Sequence, residues 1–461
     1  MSEIAVFLEK DGRFNAFILL ASFKVQKYQN ECDDLNIRSI NICEDIESRC
    51  NTKFNKLDKY FEENDDWLNK IDAIGTLLLI SYLRAKTLKK RLLSEYVEYI
   101  NILKAHSINM VLLPGDRELS PIPALIKAAR DSKIPLVNAS LSSPYTEGLI
   151  EARKKSRRFK TKILTFPPIL NLFVRLKYPK QTIMTNEGRL LFSPGWLSIC
   201  LDRLGMLNPS PWAQGNNSDY LLQHCKNRVI DYKRLGVKSE KIILTGDPSV
   251  DLLYESYMKK NNIKIMLGEK YNILLSKPVV IISVPNDAEH GVCEMKEHQK
   301  RMDEFLSLFD DYECNVLLSL HPKSNKENYL FLQEKYGYFM VDEKLSTLLP
   351  IADLFVCSVS STILWAKICN VFTINLDYLY IQDADSDGSE IVKTVHNKTE
   401  FKHFLDIYFT KEKSISCSEL DESDKIKSDY LFDGKSKLRI CDFLCQVIDR
   451  GRMKDGLLKG I

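Results

Sequence analysis

The sequence predicts an α/β protein built from two doubly wound, Rossmann-like domains. Apolar, strand-like runs alternate with amphipathic helical segments, as in parallel sheets that helices cover on both faces. The chain has 461 residues, which is long for a single hydrophobic core. Several of the apolar runs end in polar turns, which is typical of strands whose carboxyl ends line a ligand site.

The first domain is expected over residues 1–250, and its clearest part is a strand–helix–strand unit. The run "INMVLLPGD" predicts a buried strand that ends in a polar loop at Asp116. A helix follows in "SPIPALIKAARDSK", where Ser120 lies near the cap and Pro121 inside the first turn. The next strand is "IPLVN", and a length of about 30 residues is typical of a parallel βαβ unit.

Later in this domain, a strand in "KIILTGDPSVDLLYE" ends in the turn Thr245-Gly246-Asp247-Pro248. Gly246 permits a backbone angle that other residues avoid, and Pro248 suits the first turn of a helix. The turn either simply joins a strand to a helix, or it faces the ligand and lets a donor approach Gly246 and Asp247 closely.

A linker at about 251–276, poor in strand pattern and rich in Lys, Asn and Tyr, separates this domain from a second one at 277–461. The predicted strands of the second domain are "PVVIIS", "CNVLLSL", "YFMVD", "LFVCS" and "VFTINL". Ligands of such open sheets bind beyond the carboxyl ends of the strands. With two domains of this kind, the cleft between them is the expected ligand site.

The composition excludes several classes of protein. No apolar run reaches the roughly 18 residues that a membrane-spanning helix needs, and the N-terminus has acidic residues where a signal peptide needs basic ones. The 12 cysteines form no C-x-x-C pair, and the 7 histidines do not cluster with them. Reduced thiols, no structural zinc and a cytoplasmic location are therefore expected.

Polar residues end two strands of the second domain. The run "NVLLSL" stops at a His-Pro pair, and "LFVC" stops at a set of hydroxyl groups before a helix begins. Taken alone, these features predict a solvent-facing turn and ordinary helix capping. Because both fall at strand ends of one sheet, where hydroxyls, a helix N-terminus and an imidazole can all donate to a phosphate, they predict a phosphate site. Its candidate residues are His321, Pro322, Ser358, Ser360, Ser361 and Thr362.

Motifs of other nucleotide-binding families do not occur. The chain contains neither the G-x-G-x-x-G fingerprint of NAD and FAD domains nor the G-x-x-x-x-G-K-[ST] loop of P-loop NTPases. No acidic triplet stands at a strand end, and "DADSDG" (383–388) is interpreted as a solvated loop rather than a cation site. No metal is therefore expected, and no cofactor beyond a nucleotide-sugar that serves as donor substrate.

The order of "LTGDPSVD", "HPK" and "ADLFVCSVSSTILWA" resembles the two-domain, GT-B-type glycosyltransferases over roughly 210–380. The His-Pro and Ser-Ser pairs are similar to the HP and SS motifs of bacterial sialyltransferases and polysialyltransferases. Capsular Kdo transferases and CDP-glycerol glycerophosphotransferases have related patterns, and UDP-N-acetylglucosamine 2-epimerases share the fold. In the sialyltransferase-like families these residues bind the nucleotide phosphate of a CMP-sugar. The resemblance therefore implicates His321, Ser360 and Ser361.

An inverting transferase needs one carboxylate near the attacking hydroxyl. The resemblance implies paired acids before a glycine in the N-terminal domain, whereas this chain offers only the single acids of "NEG" and "TEG", Glu187 and Glu147. Asp116 follows a predicted strand, and it therefore lies where open α/β sheets bind their ligands. The candidates are ranked Glu187, Asp116 and Glu147, and each can instead be a surface-loop acid.

The segment 151–180 carries ten Lys and Arg residues and one acid, with apolar residues interleaved. Blocks of like charge are often solvated loops. The alternatives are a patch for an anionic membrane surface, at roughly 1 kcal/mol per cation, or a groove for an acidic glycan. No nucleic-acid-binding motif accompanies the segment, so nucleic acid is not an expected partner. The residues proposed for this patch are Arg153, Lys154, Lys155, Arg157 and Arg158.

These features favour a metal-independent, inverting glycosyltransferase of surface-polysaccharide synthesis. It would pass a sugar from a nucleotide-activated donor, with a CMP-linked acidic sugar as the first candidate, to a glycan or lipid-linked glycan. The reaction would take place in the cytoplasm or peripherally at the inner membrane. Two alternatives stay open, because a fold alone does not decide among them: a nucleotide-sugar epimerase or hydrolase, and a non-catalytic nucleotide-sugar-binding scaffold subunit.

Overall fold

The computed structural model of the chain divides into two units, each with a parallel sheet. Unit 1 comprises Met1–Thr245 with Lys437–Ile461, and unit 2 comprises Gly246–Ser436. The structure describes residues 8, 10, 14, 16, 18–20, 39–41, 74–117, 122–139, 150, 154, 168–186, 188–289, 293–321, 324–358, 360–378, 389–410 and 417–458.

The described strands of unit 1 are β1 (Ile18–Leu20), β2 (Ser39–Asn41), β3 (Val111–Leu113), β4 (Leu136–Asn138), β5 (Thr182–Thr185), β6 (Gly188–Leu191), β7 (Tyr220–Gln223) and β8 (Ile242–Leu244). Those of unit 2 are β9 (Val279–Ser283), β10 (Asn315–Ser319), β11 (Phe339–Val341), β12 (Leu354–Cys357), β13 (Phe372–Leu376) and β14 (Val392–Val395).

The helices follow in chain order. Those before unit 2 are α1 (Ile74–Ala105), α2 (Ile122–Asp131), α3 (Pro168–Lys177), α4 (Gly195–Arg203) and α5 (Lys226–Arg234). Those of unit 2 are α6 (Pro248–Met258), α7 (Lys260–Tyr271), α8 (Met295–Leu306), α9 (Leu330–Tyr336), α10 (Leu345–Leu348), α11 (Ile363–Ile368), α12 (Lys398–Thr410) and α13 (Cys417–Asp429). The last is α14 (Ser436–Leu458), which lies almost entirely in unit 1.

The central sheet of unit 1 has the strand order β3-β4-β7-β8, and every neighbouring pair is parallel. Parallel neighbours need a crossover, which α2 supplies between β3 and β4 and α5 between β7 and β8. Successive residues of β3 point to opposite faces of the sheet, as the pleat requires. Leu113 packs into a core cluster with α1, α2 and α4, whereas Leu112 packs against a second cluster on the other face.

The second face of this sheet is covered by α14. Its residues Ile440, Leu444 and Val447 share a core cluster with Val137 and Leu222 of the sheet. Their spacing of i, i+4 and i+7 lines one face of a helix. The sequence places this helix in the second domain, 277–461, but the structure packs it in unit 1. An apolar stripe shows that a helix is buried and leaves open which sheet buries it.

The structure also differs from the linker expected at about 251–276. These residues form most of α6 and α7, and unit 2 already begins at Gly246. Only Leu267 is buried in α7. The helix therefore lacks the apolar periodicity by which a core helix is found in a sequence.

Unit 2 is a six-stranded parallel sheet in the order β11-β10-β9-β12-β13-β14. Counted along the chain within unit 2, the order is 3-2-1-4-5-6, which is that of the doubly wound Rossmann domains. All five residues of β10 are buried, because helices cover both faces of the sheet. This confirms the predicted α/β class with Rossmann-like units, while a cleft between the units stays a prediction.

Candidate functional site

The strand order of unit 2 creates a switch point between β9 and β12. From β9 the chain winds outward through β10 and β11, and from β12 it winds the other way through β13 and β14. The loops that leave β9 and β12 therefore diverge and open a crevice at the carboxyl ends of these strands. Open α/β sheets bind their ligands at such a point.

His321 follows β10, two residues after Ser319, the last residue of that strand. Its side chain is exposed, and its carbonyl oxygen accepts a hydrogen bond from the Ser324 N–H at 2.8 Å. This bond closes a tight turn directly after the strand. The turn keeps residue 321 at the carboxyl edge of the sheet, where the sequence predicts it.

Hydroxyl groups follow β12. Ser358 Oγ donates to the Leu376 carbonyl oxygen at 2.8 Å, which ties this residue to the end of β13. Ser360 Oγ and Thr362 Oγ1 lie 2.8 Å apart, and Ser361 between them is exposed. The structure thus brings Ser360 and Thr362 together at the start of α11 and turns the Ser358 hydroxyl toward β13.

The His321 turn and the Ser360–Thr362 pair lie on either side of β9. Both β10 and β12 are direct neighbours of β9, so their ends are two strand spacings apart, roughly 10 Å. A ligand group that contacts both must lie across the carboxyl end of β9. Because α11 spans only Ile363–Ile368, an anion at this point would depend on the hydroxyl groups rather than on a helix dipole.

The loop 284–289 after β9 belongs to the same crevice and is absent from the sequence-predicted site. The Tyr378 hydroxyl donates a hydrogen bond to Asp287 Oδ2, and the Arg301 guanidinium lies 4.4 Å from the centre of the Tyr378 ring. Burial, followed by the bond to Asp287, raises the pKa of Tyr378. Asn286 Nδ2 is buried and has no hydrogen-bond partner within the described part of the chain. The sequence does contain one indication of this loop: "VPND" follows a buried strand directly, as the other predicted site residues do.

A second tyrosine–carboxylate pair fixes the same loop. Tyr329 is fully buried, and its hydroxyl donates to Glu289 Oε1 at 3.0 Å. The His298 ring packs edge-on against Tyr329, with ring centroids 5.9 Å apart. Burial lowers the pKa of His298, although the charges of Asp287 and Glu289 oppose this shift. The buried Tyr329 and the half-buried Tyr378 therefore hold the loop at the end of β9.

The Gly246-Asp247 turn begins unit 2. Gly246 has a φ of 83°, in the region that favours glycine. Asp247 Oδ1 accepts a hydrogen bond from the Ser249 N–H at 2.8 Å and so caps α6, whose first residue is Pro248. The predicted helix start is confirmed, and a contact between this turn and a ligand stays a prediction.

Asp116 follows β3 in unit 1, and its carboxylate is buried. Its Oδ2 accepts hydrogen bonds from the N–H groups of Gly215 at 3.0 Å and Asn217 at 2.8 Å, and from the Ser218 hydroxyl at 3.2 Å. Burial raises the pKa of Asp116, and these hydrogen bonds oppose the rise. This geometry favours a structural role, clamping the loop 214–218, over that of a base that must meet an acceptor hydroxyl.

Seven sequence-predicted site residues lie outside the described residues: Glu147, Arg153, Lys155, Arg157, Arg158, Glu187 and Pro322. The strands on either side of Glu187, β5 and β6, form an antiparallel hairpin. Lys154 is helical and half-buried. The roles assigned to these residues stay predictions.

His224, directly after β7, should make the stability of unit 1 depend on pH. Burial, with a smaller contribution from Arg228, lowers the pKa of His224 to about 4. The pKa of a histidine in the unfolded chain is about 6.5. Between the two pKa values the unfolded chain is therefore protonated at His224, whereas the folded protein is not. Stability is therefore lost as the pH falls from about 6.5 to about 4, by up to about 3 kcal/mol.

We expect the urea midpoint of the wild type to fall more steeply with decreasing pH than that of His224→Gln, because the variant lacks this titration. Urea denaturation at a series of pH values, with hydrogen exchange followed in β7, measures the effect. His106→Gln, at an exposed histidine, is the matched control and should follow the wild type. Parallel curves for wild type and His224→Gln would contradict the expectation.

No helix among the described residues combines the length and apolar character that a membrane span requires. No group of three or more His, Cys, Asp or Glu side chains comes together among them in a way that could hold a metal ion.

No protein-family model matches the chain, and no curated protein matches it either. Among solved structures, the UDP-GlcNAc 2-epimerase of Neisseria meningitidis bound to UDP-GlcNAc is 13% identical and has a TM-score of 0.50, with 97% of this chain and 96% of that chain covered. The UDP-GlcNAc 2-epimerase of Methanocaldococcus jannaschii is 13% identical over 96% of both chains, with a TM-score of 0.49. The wall teichoic acid polymerase TagF is 16% identical over 51% of this chain and 58% of that chain, with a TM-score of 0.37. At 13% identity the first likeness shows the fold alone, which is the GT-B-type α/β fold.

Proposed function

We propose that this chain is an inverting glycosyltransferase that moves a sugar from a nucleotide-activated donor to a surface-glycan hydroxyl. A CMP-linked acidic sugar is the first candidate donor. The observation that carries the proposal is the placement of an imidazole and a hydroxyl pair on opposite sides of the switch-point strand β9. The Rossmann-type strand order of unit 2 and the HP and SS motifs support it.

In the proposed site, the donor phosphate lies across the carboxyl end of β9. His321 donates one hydrogen bond to it. From the other side donate the Ser361 hydroxyl and one hydroxyl of the Ser360–Thr362 pair, since the other hydroxyl of that pair donates within the pair. Asn286 belongs to the loop between them, and its buried amide nitrogen has no partner among the described residues. A buried donor without a partner calls for an acceptor, so Asn286 is a further candidate ligand of the phosphate.

During transfer, the bond between the anomeric carbon and the phosphate oxygen breaks, and negative charge develops on the leaving phosphate. Donors that are fixed before the reaction stabilise this charge most in the transition state. The acceptor hydroxyl attacks from the opposite face of the sugar, and its proton passes to a carboxylate. Glu187 is the first candidate for that base and Glu147 the next, because the Asp116 carboxylate already accepts three hydrogen bonds.

A nucleotide-sugar epimerase is the second candidate function. The acids Asp287 and Glu289 beside the switch point favour it, because epimerisation needs acid and base groups around the sugar. Both carboxylates, however, are hydrogen-bonded to tyrosines, Asp287 to the half-buried Tyr378 and Glu289 to the buried Tyr329. Carboxylates that are fixed in this way are poor candidates for proton transfer, so we place the transferase first.

Turnover with a panel of donors separates these functions. The purified full chain is incubated with CMP-, UDP- and CDP-activated donors, and nucleotide release is measured with and without a glycan acceptor. We expect release of the nucleotide from a CMP-linked sugar that depends on the acceptor. Acceptor-independent release, or a changed donor sugar, would instead indicate a hydrolase or an epimerase. Binding of a donor with no turnover in any arm would contradict both enzymes and leave the scaffold subunit.

A further inference from the structure

Helix α3 carries an apolar stripe on its water-facing side. The exposed apolar residues have the spacing i, i+3, i+4 and i+7, which lines one face of an α-helix. They are Ile169, Leu172, Phe173 and Leu176, with exposed fractions of 59, 49, 45 and 73%. The other face is buried at Asn171 and Val174, and Asn171 Oδ1 accepts a hydrogen bond from the Gly195 N–H of α4 at 3.1 Å. The helix is thus anchored with its stripe outward.

This arrangement reverses the usual pattern of a surface helix. An amphipathic helix of a globular protein turns its apolar side to the core and its polar side to water. Single exposed apolar residues are common and need no explanation. A continuous exposed row is different, because contiguous apolar patches mark interaction surfaces.

Cations border the stripe. Arg175 and Lys180 are exposed, and Lys177 Nζ forms an ion pair with Asp202 Oδ2 at 3.0 Å. Asp202 therefore offsets the charge of Lys177, while Arg175 and Lys180 keep the surface basic. The segment 151–180 as a whole has ten Lys and Arg residues and a single acid.

We propose that the surface formed by Ile169, Leu172, Phe173, Arg175, Leu176 and Lys180, here called the α3 face, binds an anionic lipid bilayer. Interfacial helices lie in the plane of a bilayer with their apolar side among the acyl chains and their cations at the headgroups. The α3 face supplies both components, on an anchored helix and on the short turn Pro179–Gln181 that follows it. The proposal concerns where the chain resides, and it does not depend on the proposed enzymatic function.

Two other occupants match only part of this surface. A second copy of the chain that used the same face would bring Arg175 and Lys180 of both copies together, because a two-fold interface pairs identical patches. Like charges at such a contact repel. An acidic glycan would neutralise the cations but leave the apolar stripe in water. An anionic bilayer matches the cations and the stripe together.

Vesicle flotation of the full chain tests the proposal. One set of vesicles is phosphatidylcholine alone, and the other is an equal mixture of phosphatidylcholine and phosphatidylglycerol. We expect the wild type to float with the mixed vesicles, to bind the neutral ones more weakly, and to lose binding to the mixed vesicles as salt is raised. Absence of wild-type binding to either set would overturn the proposal.

The decisive variant replaces three stripe residues at once: Ile169→Gln, Leu172→Gln and Leu176→Gln. Glutamine has a high helix propensity, so α3 should persist. Phe173 is kept, because its ring packs edge-on against Tyr178 with centroids 6.3 Å apart. We expect the partition coefficient on mixed vesicles to fall at least about tenfold.

The matched control removes three exposed apolar side chains from α6 and α7: Met258→Gln, Ile265→Gln and Met266→Gln. It should bind the mixed vesicles like the wild type. The pair Arg175→Gln and Lys180→Gln should reduce the preference for mixed over neutral vesicles. Equal flotation of the stripe variant and the control would overturn the proposal. So would a stripe variant that turns a dimer into a monomer by light scattering, since the α3 face would then join two copies.

Discussion

Replacing Asp116 with alanine is expected to lower the free energy of unfolding of unit 1 by about 3–5 kcal/mol. The side chain is buried, and its Oδ2 accepts hydrogen bonds from the N–H groups of Gly215 and Asn217 and from the Ser218 hydroxyl. Alanine leaves these donors buried without an acceptor, at a cost of about 1–3 kcal/mol each. Urea denaturation, with hydrogen exchange resolved over 208–219, measures the loss.

Two companion variants make this test specific. Asp116→Asn retains one oxygen that can take the Oδ2 position, where the three hydrogen bonds converge, so we expect a smaller loss of about 1 kcal/mol. Asp231→Ala removes an exposed carboxylate from α5 and should change stability by less than about 0.5 kcal/mol. An Asp116→Ala protein as stable as this control would show that the carboxylate does not clamp the loop.

His321→Ala is expected to lower kcat/KM for the nucleotide-activated donor by about 100-fold or more. The substitution removes a donor from the charge that develops on the leaving phosphate, so the loss should fall mainly on kcat. Ser360→Ala should act in the same direction with a smaller effect, because the hydroxyls of Ser361 and Thr362 remain. Steady-state kinetics, together with calorimetric measurement of nucleotide binding, determines both effects.

The matched control for this series is His403→Ala, at an exposed histidine on α12 of the same unit. It should retain wild-type kinetics. If His321 and Ser360 contact one phosphate, the double variant should lose less than the sum of the two single losses. Wild-type kcat/KM and nucleotide affinity in His321→Ala would remove the basis of the proposed site.

The sequence predicts the strands of unit 2 better than it predicts which side chains meet. Five of its strands are apolar runs, and the rule that ligands bind at strand ends selects His321 and Ser360 without tertiary information. The hydrogen bond between Tyr378 and Asp287 joins residues 91 apart in the chain, and no local pattern reveals such a pair. The strand β14, "VKTV", is short and half polar, and it escapes prediction.

In unit 1, too, the sequence predicts the elements but not the tertiary partners of their residues. Asp116 is found by its position after a strand, but its role depends on Gly215, 99 residues later. The spacing of apolar residues in α14 predicts a buried helix, and the sheet that buries it is fixed by the path of the whole chain. Local periodicity predicts that a side chain is buried. Which residues it packs against depends on the topology of the whole chain.

The return of α14 to unit 1 has a consequence for biosynthesis. Ile440 and Leu444 cover the sheet face that includes Val137 and Leu222, and the ribosome makes them after all of unit 2. Unit 2 holds its whole sheet within 246–436, so it can fold during translation. Unit 1 is synthesised first, but one apolar face of its sheet stays uncovered until α14 has been made. Exposed apolar surface of this kind promotes aggregation, so we expect chaperones to bind this nascent state.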